Sequence, residues 1–477
     1  MRMYGGFLSQ EEKEIIHQKS IEILENTGIK FPSEKALAIL EKAGAKVDYD
    51  TEIAYISESM VKRAFETAPK EILIGARNPE HSITIPAGYS TYNLDGTGVN
   101  FFDYDKGIKR PALIKDIADA CRIFEEVPLG TLMWVPVNAD DAPKGAKSIA
   151  GVGTAFANTS KHVSDEIKEL RELPYVIEIL KAVTGSEENV SKQNVYSVTY
   201  CTVAPLAHDK DMLEATMEMV KYKIPMTVLP MPCAGSTGPA SLYSNVAVAN
   251  AEALSTFVIF QLVNPGTPII FGTGTGTLNP TNGMFLEGAP EVSVMECSMS
   301  EMGKYYGFPT VVGGCVTDAV VPGTQAVIEK TLSTLPLVVS GADIVQGIGL
   351  VESSMTLSLE QILIDSEIAL LCRRLKEGIN ISEEFDFADD VAKIGPEGHF
   401  LKQKNTRKAF RTDQFYRPSM MDRISYEEWT RLGSKDLYAK AHDKVKDILS
   451  AEMKNPLDHT TEKIINEIVK EAMAKLA

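Results

Sequence analysis

Residues 196–276 carry the pattern that decides the fold: YSVTYCTVAPLAH (196–208), DKDMLEATMEMVKYK (209–223), IPMTVLPMP (224–232), ASLYSNVAVANAEALSTFVIFQLV (240–263) and PGTPIIFGTGTG (265–276). The first segment is a β-branched and aromatic run that breaks at Pro205. In the second, Met212, Leu213, Thr216, Met219 and Val220 fall on one face of a 3.6-residue helix. The third is a strand ending in prolines, the fourth a long, mostly apolar helix, and the fifth a strand closed by glycines. Apolar strands that do not alternate, separated by helices, imply parallel strands buried on both faces. Their carboxyl ends open into loops rich in Gly, Pro and Thr, where parallel α/β folds hold ligands.

The same alternation extends in both directions. Strand starts are read at Tyr92, Thr131, Lys161, Tyr196, Met226, Pro268, Pro309 and Ala342, and helices at 112–126, 143–158, 170–184, from Pro290, at 324–339 and at 354–377. Eight strand–helix units suit a closed (β/α)8 TIM barrel over 91–377, whereas an open doubly wound sheet does not need eight regular repeats. Residues 1–90 read as a helical and hairpin extension. Ser9 and Glu12 form a capping box, Gly28 stops that helix, and Ser33 and Ser57 open two more. Residues 71–85 read as a hairpin turning at Asn78-Pro79. Residues 378–477 read as a C-terminal extension: an acidic loop (383–390), a basic and aromatic stretch (394–423) that could meet a partner protein, and further helices.

The 477-residue chain has a formal charge of −17, which argues against a phosphate-binding surface for nucleic acid. Six scattered cysteines without CxxC imply reduced thiols, the first residues hold no signal-peptide core, and Glu252 interrupts the most apolar run. A cytoplasmic protein that is not inserted in a membrane is expected. There is no Walker loop, GTGTG (272–276) lacks the GxGxxG spacing, and no HExxH or GxSxG occurs. No metal site is proposed. Polar and aromatic residues at strand ends remain: Tyr92, Asp95, Trp134, Lys161, His162, Tyr200, His208, Phe285, Glu287 and Gln346. Lys161 could serve as a Schiff-base lysine. As a group, aromatic rings with a few carboxylates at a barrel mouth suit a cationic organic ligand.

NLDGTG (93–98), GIKRPALIKDIADACRIFEEV (107–127), NTSKH (158–162), GGCVTDAVVPGTQA (313–326) and GPEGHFL with RPSMMDRISYEEW (417–429) resemble the trimethylamine methyltransferase family, collinearly over nearly the whole chain. The resemblance implies a (β/α)8 barrel that moves a methyl group from an amine to the cobalt of a separate corrinoid protein. Two departures stand out. The trimethylamine enzymes contain pyrrolysine, and this chain has only the twenty ordinary residues; where the family carries a His-Thr pair, Asn405-Thr406 stands here. Similar proteins without pyrrolysine demethylate quaternary amines such as glycine betaine.

A quaternary ammonium leaves as a neutral tertiary amine, so no general acid is required, and catalysis is by positioning one methyl in line with the metal. No catalytic residue is therefore assigned. Substrate binding is expected from Tyr92, Asp95, Trp134, His162, Tyr200, His208, Phe285, Glu287 and Gln346. The aromatic faces would hold the cation at about 0.5–2 kcal/mol each, and His162, His208, Gln346 and backbone N–H groups near 272–276 would receive a betaine carboxylate. Cobalamin is expected on the partner, because the chain has no DxHxxG motif, and the enzyme is expected to form a homo-oligomer. The competing readings are a Lys161 Schiff-base enzyme and a non-catalytic quaternary-amine binding protein.

Overall fold

The computed structural model describes residues 6–96 and 98–476. Eight parallel strands close into one barrel in chain order. They are β1 (Thr91–Leu94), β2 (Gly130–Trp134), β3 (His162–Asp165), β4 (Tyr196–Cys201), β5 (Met226–Leu229), β6 (Ile269–Thr273), β7 (Thr310–Gly313) and β8 (Ile344–Ile348). Pairing of Val345 with Tyr92 and of Gln346 with Asn93 seals the ring. Between and after the strands run α1 (Ile114–Glu125), α2 (Lys147–Asn158), α3 (Leu173–Thr184), α4 (Lys210–Met219), α5 (Leu242–Val263), α6 (Pro290–Tyr305), α7 (Thr324–Ser340) and α8 (Leu359–Glu377). This is the (β/α)8 architecture expected from the apolar runs.

Helices α2 and α3 start three to four residues later than the sequence reading places them, and α8 departs from it most. Helix α8 starts at Leu359, capped by the Ser358 hydroxyl, and not near 354. The residues before it form short strands, Leu350–Val351 and Thr356–Leu357, which join Asn100–Asp103 and Ile108–Pro111 in a four-stranded sheet beside the mouth.

The two ends of the barrel are built differently. The expected hairpin (Ile72–Ile74 with Ile83–Ile85) closes the amino end, where Ile72, Ile74 and Ile85 pack against the interior residues Leu132, Ile270, Val311 and Ile344. The Gly75 N–H donates to the Asn194 carbonyl and the Asn78 N–H to the Ser160 carbonyl, both at 3.0 Å, just ahead of β4 and β3. The carboxyl end is left for chemistry.

Helix α5 is long and apolar enough to cross a membrane, but nearly all of it is buried inside the protein. Helices Gln10–Glu22 and Glu58–Thr67 lie across it, so a helix apolar on every side has a covering on every side. Its Glu252 is fully buried, takes the Leu206 N–H at 2.9 Å and the Thr202 hydroxyl, and is pushed up to about 7 by burial. At the other end of the chain, Leu437–Ser450 packs on α8 and α1, and His459–Lys475 on α2 and α3.

A fully buried ion pair sets the backbone at the mouth. Lys330 Nζ on α7 is 2.9 Å from Asp365 Oδ2 on α8, both side chains at 0% exposure. The ammonium also donates to the Cys315 and Gly347 carbonyls at 2.6 and 3.0 Å, and Asp365 accepts the Gly349 N–H at 2.8 Å. It thereby pins left-handed backbone at Cys315, Gly347 and Gly349 (φ 57°, 120° and 89°). At Gly347 a Cβ would lie 2.4 Å from the Gly314 carbonyl oxygen, so only glycine fits. Replacing Lys330 by Met strands a buried carboxylate and should cost about 3–5 kcal/mol in urea denaturation, with Lys330→Met/Asp365→Leu costing less than the single change. A double variant no more stable than Lys330→Met would show that the uncompensated charge is not what destabilises it.

Candidate active site at the barrel mouth

A narrow cavity of about 30 Å³ sits at the carboxyl end of the barrel, with Asp95, Trp134, Met231, Glu287, Glu296 and Gln346 in its wall. That volume has room for a water or two. Strand alternation supplies part of the wall. On β1, Asn93 faces inward and its amide donates to Gln346 Oε1 on β8 at 3.3 Å. Asp95 continues that face two residues later, and Trp134 ends β2 pointing inward with the apolar residues of the interior. The indole lies directly over Gly96, where a Cβ would come within 2.1 Å of Nε1. Glycine at this point of the NLDGTG stretch gives the ring its seat.

Loops and a helix supply the rest. Glu287 lies after β6, its backbone N–H held by Asp318 Oδ1 at 2.8 Å, and the same oxygen accepts the Ser353 hydroxyl at 2.9 Å. Glu296 reaches in from α6 and takes the Gly313 N–H on Oε2 at 2.9 Å. Ser354 belongs to three successive left-handed residues, Glu352, Ser353 and Ser354 (φ 59°, 49° and 61°), a costly conformation for side chains with a Cβ. That turn carries the Ser354 hydroxyl to 2.6 Å from Glu287 Oε2 and 3.1 Å from Asp95 Oδ2.

The electrostatics are those of carboxyls crowded out of water. Burial first, and then the neighbouring Asp95 charge, raise Glu287 above the ordinary carboxylate range. Burial raises Glu296 as well. Glu296 Oε1 and Trp134 Nε1 are buried with no hydrogen-bond partner among the described residues. Glu296, Met231 and Ser354 escaped the sequence reading. Glu296 left one legible trace, since it follows Val292 by four residues and so shares the buried face of α6.

Of the residues expected at the site, the structure brings together Asp95, Trp134, Glu287 and Gln346. It places the others elsewhere. Tyr92 faces the helix layer and packs with the outer core beside Cys372 and Cys315. Tyr200 likewise faces outward, 2.7 Å from His208 Nδ1 and edge-on to Phe260. His208 bonds Ser255 of α5 at 3.1 Å and stacks on Phe31, wholly within the core. His162 opens β3 at the amino end, with Nδ1 2.7 Å from the Gly75 carbonyl oxygen. Phe285 stands in a loop strand paired with Gly276–Leu278, its ring over Gly276 and outside the cavity wall. An aromatic cage therefore does not form: Trp134 is the aromatic ring in the wall, and carboxyls take the places expected for rings. Lys161 is spent as well, its ammonium donating to the Phe124 and Val127 carbonyls at 2.9 and 2.6 Å at the amino end. Lys161 therefore does not reach the mouth, and among the described residues no lysine lines this cavity.

The family model described as trimethylamine methyltransferase (MTTB) matches residues 4–477. The chain is 32% identical over 472 residues to the trimethylamine methyltransferase of Methanosarcina barkeri (strain Fusaro / DSM 804), covering 98% of this chain and 95% of that protein. It is 27% identical over 431 residues to the glycine betaine methyltransferase of Desulfitobacterium hafniense (strain Y51), covering 89% and 88%. Among solved structures, the monomethylamine methyltransferase of Methanosarcina barkeri aligns with a TM-score of 0.48 at 13% identity, over 92% of each chain.

The core placement of the two histidines has a consequence for pH. Burial lowers His162 to about 4 and His208 to about 3. Each neutral ring contributes stability in full above its unfolded pKa of about 6.5, and that contribution is lost as pH falls toward the folded value. For His162 this amounts to about 3 kcal/mol between pH 6.5 and pH 4, read by urea denaturation across pH. His162→Gln should flatten that slope; an unchanged slope would mean that His162 is not buried neutral.

Proposed function

The chain belongs to the trimethylamine methyltransferase family, and on that premise we propose that it moves an N-methyl group from a quaternary amine to the Co(I) of a separate corrinoid protein. The observation that carries this reading is the cavity itself, where buried carboxyls and one indole face meet at the ligand-binding end of the barrel. Such a wall suits a cationic group, and in this reading its carboxyls pair with the charge and take no covalent part in the transfer. The glycine betaine relative, at 27% identity, supports quaternary amines as the substrate group.

The corrinoid belongs to the partner in this reading, and its reduced cobalt supplies the nucleophile. This chain's residues bind, orient and dry the substrate. Trp134 presents a ring face to the ammonium, the carboxyls offset its charge, and a substrate filling the narrow cavity displaces its water so that these interactions act at low dielectric. Met231, partly exposed while also lining the cavity, is the flexible side chain whose movement admits a ligand larger than the present volume. The departing amine is neutral and needs no proton. Around the mouth, Val99, Met284, Val320, Val321 and Met355 stand exposed on loops that follow barrel strands. Apolar side chains grouped on that face suit the docking of a partner protein over the cavity.

Mixing the chain with a panel of quaternary amines and Co(I) cobalamin should give methylated cobalamin, followed by its absorption spectrum, together with one equivalent of tertiary amine. Trp134→Leu should raise KM about 2- to 30-fold, the range of a single cation–π contact. Binding without methyl transfer, when reduced corrinoid protein is supplied, would instead make this a binding protein.

A further inference from the structure

The charge balance of the cavity wall narrows the substrate beyond "quaternary amine". Asp95, Glu287 and Glu296 line it, and no Lys, Arg or His does so among the described residues. The nearest buried ammonium, Lys330, is occupied by Asp365 and two carbonyl oxygens. A carboxylate on the substrate would meet three carboxyls and only neutral donors such as the Trp134 indole N–H. Among the described residues these carboxyls also do not gather at metal-ligand spacing, which favours an organic cation over a divalent ion.

Resting on the reading above, we propose that the substrate is a methylated ammonium cation without a carboxylate, held by Glu296 and by an Asp95–Ser354–Glu287 group that releases one proton when the cation enters. The geometry favours a shared proton. The Ser354 hydroxyl has a single hydrogen and lies within hydrogen-bond distance of both Glu287 Oε2 and Asp95 Oδ2. Two ionised carboxylates drawn to one hydroxyl repel each other, and a proton held on one of them relieves that repulsion. Glu287 is faced by Asp95 after β1, Asp318 after β7, Ser354 after β8, Glu296 on α6 and Lys330 on α7. Carboxyls outnumber the one committed ammonium, so without a ligand the group keeps a proton. Glu296 adds an independent sign of a missing ligand. Glu296 lines the cavity at 0% exposure, and its Oε1 makes no well-formed hydrogen bond among the described residues, although the Thr275 backbone N–H lies close enough to favour the charged carboxylate. An entering cation satisfies that oxygen and makes ionised Glu287 favourable, and the displaced proton passes to solvent.

Calorimetric titration of the full-length chain in two buffers of different ionisation enthalpy tests this with tetramethylammonium, choline and glycine betaine across pH 6–9. Tetramethylammonium and choline should bind at least about tenfold more tightly than glycine betaine, because like charges set side by side oppose its carboxylate. Binding should release about one proton at the acid end of that range and strengthen as pH rises. Glu287→Gln should lower the proton release by about one, and Glu296→Gln should weaken cation binding about tenfold, with circular dichroism as the check on folding. Glycine betaine binding as tightly as tetramethylammonium, binding of the unmodified chain without proton release, or no binding of any of the three would each overturn the proposal. Preferred demethylation of glycine betaine would sink it while leaving methyl transfer intact. Tight binding of tetramethylammonium with proton release but no methyl transfer would do the reverse.

Discussion

In a closed parallel barrel each strand side chain faces either the interior or the surrounding helices, and the choice alternates along the chain. Sealing β8 onto β1 fixes that choice all the way round. Adjacent residues consequently have unrelated fates. Asn93 joins the interior polar network while Tyr92 packs under the helices. Cys201 sits against the interior cluster while Tyr200 packs on α5. The composition of the mouth follows from which residues the alternation turns inward at the carboxyl ends.

The inward set is apolar at one end and acidic at the other. Isoleucines from the hairpin close the amino end, where burial of aliphatic surface stabilises the fold without polar cost. Carboxyls at the other end are costly to bury unless protonated or paired. The protein meets that cost with local devices: a left-handed turn that aims Ser354, Asp318 holding the Glu287 backbone, and the Lys330–Asp365 pair fixing the strand ends. Strained backbone collected beside a cavity is common where a ligand must be received in one orientation.

Much of this was legible in the sequence. Unbroken apolar strands between helices gave the strand starts to within two residues, and serine caps marked the N-terminal helices at Ser9 and Ser33. The site was half legible. Asp95, Trp134, Glu287 and Gln346 were expected together because polar residues at the carboxyl ends of strands tend to face ligand, and they do line one cavity. Tyr92 was misplaced although it precedes Asp95 by three residues, an odd spacing that puts the two on opposite faces of a strand. Lys161 and His162 were misplaced because they open β3 and so lie at the amino end. Glu296 was out of reach of strand-end reasoning because a helix contributes it. Phe285 and His208 depend on how loops fold back, which no local pattern records.

The most direct measurement is a crystal structure of the protein grown with tetramethylammonium. The cation should lie between the Trp134 ring and Glu296, with Met231 moved aside and the Glu287 carboxyl turned toward the positive charge. A cation bound elsewhere on the molecule, with the mouth cavity unchanged at about 30 Å³, would contradict the assignment of these carboxyls to substrate.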